Sequence, residues 1–193
     1  MGKGIENVCL TGWKEFVMAE KVLVVVDMQK DFVDGSLGTK EACAIVDGVI
    51  RKVKQFDGKV IFTRDTHEED YLETQEGKFL PVKHCIVNTE GWQLIPELET
   101  LRKEQGFSCY DKPTFGSIAL AKDLKKQADA GMIESIELIG LCTDICVVSN
   151  ALMLKAFMPE LSIAVDAACC AGVTPKKHEA ALETMRSCQI VVL

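Results

Sequence analysis

The chain has 193 residues, 48% of them hydrophobic and 26% charged. That make-up suits one globular domain with a sizeable core. A net charge of -7 argues against a basic surface for nucleic acid. No apolar run approaches membrane-spanning length, and the N-terminus lacks the apolar core and cleavage site of a signal peptide. A cytoplasmic protein with no nucleic-acid or membrane partner is therefore expected.

Residues 1–20 precede the first strand as an extension. In it Ile5, Val8, Cys9, Gly12, Trp13, Phe16 and Val17 recur at helical spacing. The apolar face of such a helix packs on its own domain or serves an oligomer contact; a homo-oligomer is the expected assembly. The domain proper is read as residues 21–193.

Lys21–Asp27 is a continuous apolar run ending in a carboxylate, as suits a central parallel strand covered on both faces. Asp27 then stands at the strand's carboxyl end, where open α/β sheets place ligands. A helix over 41–55 and a strand over 59–63 complete a parallel crossover unit. The long polar stretch from Arg64 to Cys85 has little periodicity, and long ordered loops after a strand are often functional. A helix is predicted over 92–104 and a short strand over 107–112, ending at Lys112. Ile118, Ala121 and Leu124 mark another helix.

Ile136–Ile139 reads as a buried strand, followed by a Gly-containing turn and a helix start that carries Cys146. Unpaired amides and the helix dipole at such a start favour thiolate. Strands over 161–166 and 189–193 flank a helix that begins at Thr174-Pro175, with Thr174 as the N-cap. Six strands alternating with helices predict a three-layer, doubly wound α/β domain with a mainly parallel sheet.

The nine cysteines follow no disulfide framework and contain no Cys-x-x-Cys pair, so they read as mostly reduced, buried thiols. Cys146, Asp27 and Lys112 each follow a separate strand, and a parallel sheet can gather such positions. Together they have the parts for acyl transfer: a nucleophile, a proton carrier and a cation that holds the site's charge. Amides of the turn before Cys146 can hold an oxyanion.

A second group comprises Asp65, His67, Glu76 and His84. Two of the chain's three histidines fall here beside carboxylates, and imidazole with carboxylate suits zinc, manganese or iron(II). Asp65 and His67 face the same side if the backbone stays extended. His178 falls in a helical stretch and reads as a surface residue.

These motifs resemble a known family. Asp27-Met-Gln-Lys-Asp-Phe32, Lys112, and the run from Gly140 through Cys146 to Val147 resemble the three signatures of the isochorismatase-like cysteine hydrolases. Asp65-Thr-His67 with His84 resembles the metal loop of the nicotinamidases (pyrazinamidases) within it. The resemblance spans residues 21–193. It implies a six-stranded, mainly parallel sheet with helices on both sides. It also implies a catalytic triad of Asp27, Lys112 and Cys146, and a cis peptide between Leu141 and Cys142 that aims the Cys142 and Cys146 amides into an oxyanion hole. Asp65, His67 and His84 would bind a divalent metal, zinc foremost, with Glu76 as a fourth ligand.

The implied reaction is nicotinamide hydrolysis to nicotinate and ammonia through a thioester on Cys146, a step of NAD salvage. Phe32 and Leu141 are the expected walls of the substrate pocket. Pro81 stands where many nicotinamidases carry an aromatic residue, with Phe79 nearby. Two alternatives stay open: a related hydrolase of a carbamoyl or ureido compound, and a noncatalytic protein that binds a small molecule.

Overall fold

The computed structural model describes residues 19–193. The predicted extension therefore lies almost wholly outside the described residues. The elements are β1 (Glu20–Val26), α1 (Lys30–Val33), α2 (Lys40–Gln55), β2 (Lys59–Asp65), α3 (Gln75–Phe79), α4 (Pro96–Gln105), β3 (Ser108–Lys112), α5 (Ile118–Asp129), β4 (Ile133–Leu141), α6 (Val148–Phe157), β5 (Ser162–Ala171), α7 (Pro175–Ser187) and β6 (Val191–Val192). The sheet runs β3-β2-β1-β4-β5-β6, and every strand pair is parallel. This is the expected doubly wound α/β fold. The order reverses direction between β1 and β4, which places the switch point beside Asp27.

The apolar run of β1 serves two cores at once because side chains alternate across a strand. Val22, Val24 and Val26 join Leu120 and Leu124 of α5, Ala151 and Leu154 of α6, and Leu182 and Met185 of α7. Leu23 and Val25 join Val49 and Val53 of α2 and Leu98 of α4. Each such buried aliphatic side chain contributes about 1.5–3 kcal/mol. Caps fix the helix starts: Thr39, Ser117 and Thr174 each accept a backbone N–H from the first turn of α2, α5 and α7. Thr174-Pro175 thus starts α7 as the sequence predicts.

The differences are local. The strands predicted over 136–139 and 161–166 run on to Leu141 and Ala171. The last strand is reduced to two residues. The helix predicted from Trp92 begins only at Pro96. Trp92 is held outside it, its indole N–H donating to Thr66 Oγ1 at 2.8 Å. The aperiodic 66–91 stretch contains α3 and a short turn of helix at Tyr71–Glu73.

Gly140 permits a close approach between β4 and the end of β1. A Cβ there would lie 2.1 Å from the Val26 carbonyl oxygen, and its φ of 113° is open only to glycine. The ends of β1 and β4 can therefore meet where the two candidate segments leave the sheet.

Candidate active site

Strand register does most of the assembly. Asp65 pairs with Lys112 across β2 and β3. Asp27 follows β1, its N–H donating to the Thr63 carbonyl at 3.2 Å. Its φ of 48° takes the chain off the sheet at that residue, a left-handed conformation that costs about 1–2 kcal/mol. The Thr63 hydroxyl donates to Asp27 Oδ1 at 2.7 Å.

Lys112 Nζ is the hub. It lies 2.7 Å from Asp27 Oδ2 and 3.2 Å from Asp65 Oδ1, and it donates to Cys146 Sγ at 3.4 Å. All four side chains are buried. Asp27 Oδ2 receives no well-angled hydrogen bond, which leaves it as a proton acceptor. The three residues expected at separate strand ends thus come together.

Their electrostatics follow from burial. Burial raises the Asp27 carboxyl above its ordinary range and Asp65 adds to this, while Lys112 and Thr63 oppose it. Burial disfavours the Lys112 ammonium, but Asp27, Cys146 and Asp65 outweigh that and fix its charge. Burial pushes the Cys146 thiol well above its ordinary value and Asp27 adds to it, against the pull of Lys112. The expectation of a thiol lowered by a helix start is not met. Cys146 sits in a π turn, Thr143–Val147, that precedes α6, and its desolvation dominates. The thiol so raised stands within hydrogen-bonding reach of Asp27.

The turn itself is tightly held. The Leu141–Cys142 peptide is cis. The N–H groups of Ile145 and Val147 both donate to the Cys142 carbonyl at 3.0 Å. Asn150, buried one turn into α6, donates to the Cys146 carbonyl at 2.8 Å and to the Phe115 carbonyl at 3.2 Å. Its Oδ1 accepts from Ser117 N–H at 2.9 Å. The nucleophile turn is thereby tied to the loop that follows Lys112.

Beside this cluster, one ligand atom each from Asp65, His67, Glu76 and His84 fall within 4.8 Å of one another. His67 Nε2 lies 3.0 Å from Asp65 Oδ2 and 3.7 Å from Glu76 Oε1. His84 Nε2 lies 3.6 and 3.9 Å from the same two oxygens. Ligands about 2.0–2.1 Å from a tetrahedral zinc stand roughly 3.3 Å apart, so the spacing fits a small divalent ion. His84 Nδ1 donates to the Val82 carbonyl at 2.8 Å, which leaves Nε2 with its lone pair toward the other ligands. Burial raises the Asp65 carboxyl, but contacts with His67, His84 and Lys112 hold it well below the usual range. Burial and Asp65 push Glu76 upward.

Several supports carried no signal in the sequence. Tyr71 is buried against both histidine rings, with centroids 4.6 and 4.9 Å away, and its hydroxyl donates to the Leu80 carbonyl at 3.0 Å. Gln29 clasps the Asp65 backbone, accepting its N–H at 2.7 Å and donating to its carbonyl at 2.8 Å. Asp31 accepts Cys85 N–H at 2.7 Å and so fixes the His84 loop. Gln29 and Asp31 belong to the first signature, so its polar residues hold the second cluster. His178 lies half-buried on the outer part of α7, as its helical position suggested, but it is not idle: its Nδ1 shares a hydrogen bond of 2.8 Å with the buried Thr143 hydroxyl.

A cleft of about 370 Å³ opens over both clusters. Phe32 and Leu141 line it, with Asp65, Glu76, His84, Cys142 and Cys146. Phe32 also packs 5.6 Å from the His84 ring. Phe115, Ile145 and Val173 add apolar wall that the sequence did not reveal. Phe79 stands at the rim, 85% exposed, and Pro81 does not line the cleft. Among the described residues no helix is long and apolar enough to cross a membrane.

Known proteins share this arrangement of elements. The Bacillus subtilis (strain 168) protein described as an uncharacterized isochorismatase family protein, PncA, is 27% identical over 173 residues, or 84% of this chain and 92% of that one. The crystal structure of nicotinamidase/pyrazinamidase PncA from Bacillus subtilis superposes with a TM-score of 0.78 at 28% identity, covering 90% of this chain and 98% of that one. The pyrazinamidase of Pyrococcus horikoshii in complex with zinc gives 0.73 at 27% identity, with the same coverage of 90% and 98%. The family model described as Isochorismatase domain matches residues 21–193, which takes in nearly all of the sheet and both clusters, and the chain therefore belongs to the isochorismatase family.

Proposed function

We propose that this protein is a metal-containing cysteine amidohydrolase that converts nicotinamide to nicotinate and ammonia. One observation carries the reading: a thiol 3.4 Å from a buried lysine that also contacts Asp27, in the same cleft as a four-ligand N/O cluster. The solved structures that resemble it include nicotinamidases and a zinc-containing pyrazinamidase.

Cys146 Sγ attacks the carboxamide carbon as its proton passes to Asp27. A base with a raised pKa suits a thiol that is itself hard to ionise, because the proton need not cross a large free-energy gap. The amides of Cys142 and Cys146 serve the oxyanion; losing one such donor typically costs about 10²–10³ in rate. Asp27 then returns the proton to the leaving nitrogen, and ammonia departs. Water attacks the thioester as Asp27 takes its proton; the C–S bond breaks, Asp27 passes that proton to the Cys146 sulfur, and nicotinate leaves. Lys112 keeps its charge throughout and balances Asp27 at each stage. Phe32 and Leu141 hold the ring.

Asp65, His67, Glu76 and His84 would hold a divalent metal, zinc foremost and manganese or iron(II) as alternatives, and the ion would supply an electrophile able to hold the pyridine nitrogen. The test is ammonia release from nicotinamide and from a panel of carbamoyl and ureido compounds, with and without a chelator. Nicotinamide turnover lost on chelation supports the reading. Turnover of a carbamoyl or ureido compound alone, indifferent to chelation, overturns it in favour of another carbon–nitrogen hydrolase. No turnover of any amide points to a binding protein.

A further inference from the structure

The nucleophile turn is gripped from a second direction by the start of α7. Asp144 Oδ1 accepts Val173 N–H at 2.9 Å. Thr143, fully buried, shares its hydroxyl with His178 Nδ1 at 2.8 Å. Gly172 makes the approach possible: a Cβ there would lie 2.8 Å from Asp144 Oδ1 and 2.9 Å from the His178 nitrogen. These contacts act on the two residues next to Cys142, inside the five-residue turn that contains Cys146.

Such π turns cluster at functional sites, and the backbone bonds to the Cys142 carbonyl hold the amides of Ile145 and Val147 but not those of Cys142 and Cys146. The orientation of the Cys142 and Cys146 amides therefore depends on what holds the side chains between them. Asn150 anchors the far end of the turn through the Cys146 carbonyl. Among the described residues, only Thr143 and Asp144 hold its near end by side-chain hydrogen bonds, and both bonds run to the Gly172–His178 segment.

We infer that His178 is a positioning residue: by holding the Thr143 hydroxyl it fixes the turn that presents the Cys142 and Cys146 amides to the oxyanion. This rests on the amidohydrolase reading above. His178 does not line the cleft, so it acts through Thr143 and not on the substrate. Oriented donors matter most when charge develops, so the effect falls on kcat and spares KM.

The experiment measures steady-state ammonia release by the metal-loaded wild type and by His178→Ala, His178→Asn, Thr143→Val and the His178→Ala/Thr143→Val double variant. Melting temperatures are taken alongside. His178→Ala is expected to lower kcat at least about tenfold with KM within about twofold, since it loosens a preorganised donor. His178→Asn restores most of the loss, because its amide can place a donor or acceptor near the lost Nδ1. The double variant is no slower than the worse single variant, as expected of residues acting as a unit.

An unchanged kcat in His178→Ala overturns the inference while leaving the amidohydrolase reading intact. So does a loss that His178→Asn does not relieve, or single losses that multiply in the double variant. If His178→Ala does not fold, Thr143→Val with wild-type kcat overturns it equally. A wild type that releases no ammonia from any amide removes the amidohydrolase reading, and the inference with it.

Discussion

Lys112 Nζ lies 3.2 Å from Asp65 Oδ1, so the ammonium beside the candidate nucleophile also touches a carboxylate of the candidate metal cluster. With Asp27 2.7 Å away on its other side, one buried cation faces two buried carboxylates. Removing it leaves Asp27 buried with no cation beside it, and leaves Asp65 only its histidine partners. Lys112→Met is expected to lose ammonia release and to destabilise the fold by about 3–5 kcal/mol. Urea unfolding of the variant, followed beside the wild type, checks the second part; a loss under 1 kcal/mol would mean that water already reaches the site.

The two cysteines of the nucleophile turn should separate cleanly. Cys146→Ala removes the attacking atom, and loss of a nucleophile typically costs 10⁴-fold or more in kcat. Cys142→Ala keeps the backbone amide and is expected to cost no more than about tenfold. Both variants should remain folded. Equal losses in the two, measured by ammonia release, would show that the Cys142 sulfur itself takes part.

Tyr71 braces both histidine rings and contributes no ligand atom. Tyr71→Phe keeps the ring and loses only the bond to the Leu80 carbonyl, at a cost of about 1 kcal/mol. Tyr71→Ala opens a cavity under the cluster and is expected to cost about 3–5 kcal/mol. It should also lower bound metal, because ligand orientation typically governs affinity by 10–100-fold. Metal content after dialysis against a weak chelator distinguishes the two variants.

Away from the site, Glu99 gives a pH-dependent contribution. Its bidentate contact with Arg102, at 2.8 and 2.9 Å, holds its carboxyl down to about 2, with Lys103 adding and burial opposing. A depressed carboxyl stabilises the fold above its unfolded pKa, and that stability is lost as pH falls through the folded value. On a partly solvated helix the net effect is about 1 kcal/mol. Glu99→Gln should therefore be less stable than wild type at pH 7, and the gap should narrow steadily below pH 4.5. A gap constant from pH 7 to 3 would contradict this origin.

Much of the fold was legible because its signals are local. The apolar run before Asp27 suits a strand covered on both faces, and Thr174-Pro175 starts a helix by its own chemistry. Strand ends could be read too, so Asp27, Lys112 and Cys146 could be expected on one edge of the sheet. The two histidines beside acids marked the second cluster. The supports were not legible. Gln29 meets Asp65 across 36 positions, and His178 meets Thr143 across 35. Nothing in a glutamine or a helical histidine announces its distant partner.

Sequence alone thus determined the alternation of strands and helices and which reactive residue types stand at the strand ends, because periodicity and turn chemistry are properties of neighbours along the chain. Tertiary structure decided that one lysine serves both clusters, that Tyr71 and His178 brace them, and that the Cys146 thiol is raised and not lowered. Those outcomes depend on burial and on distances between remote segments, and both quantities exist only once the sheet has brought the segments together.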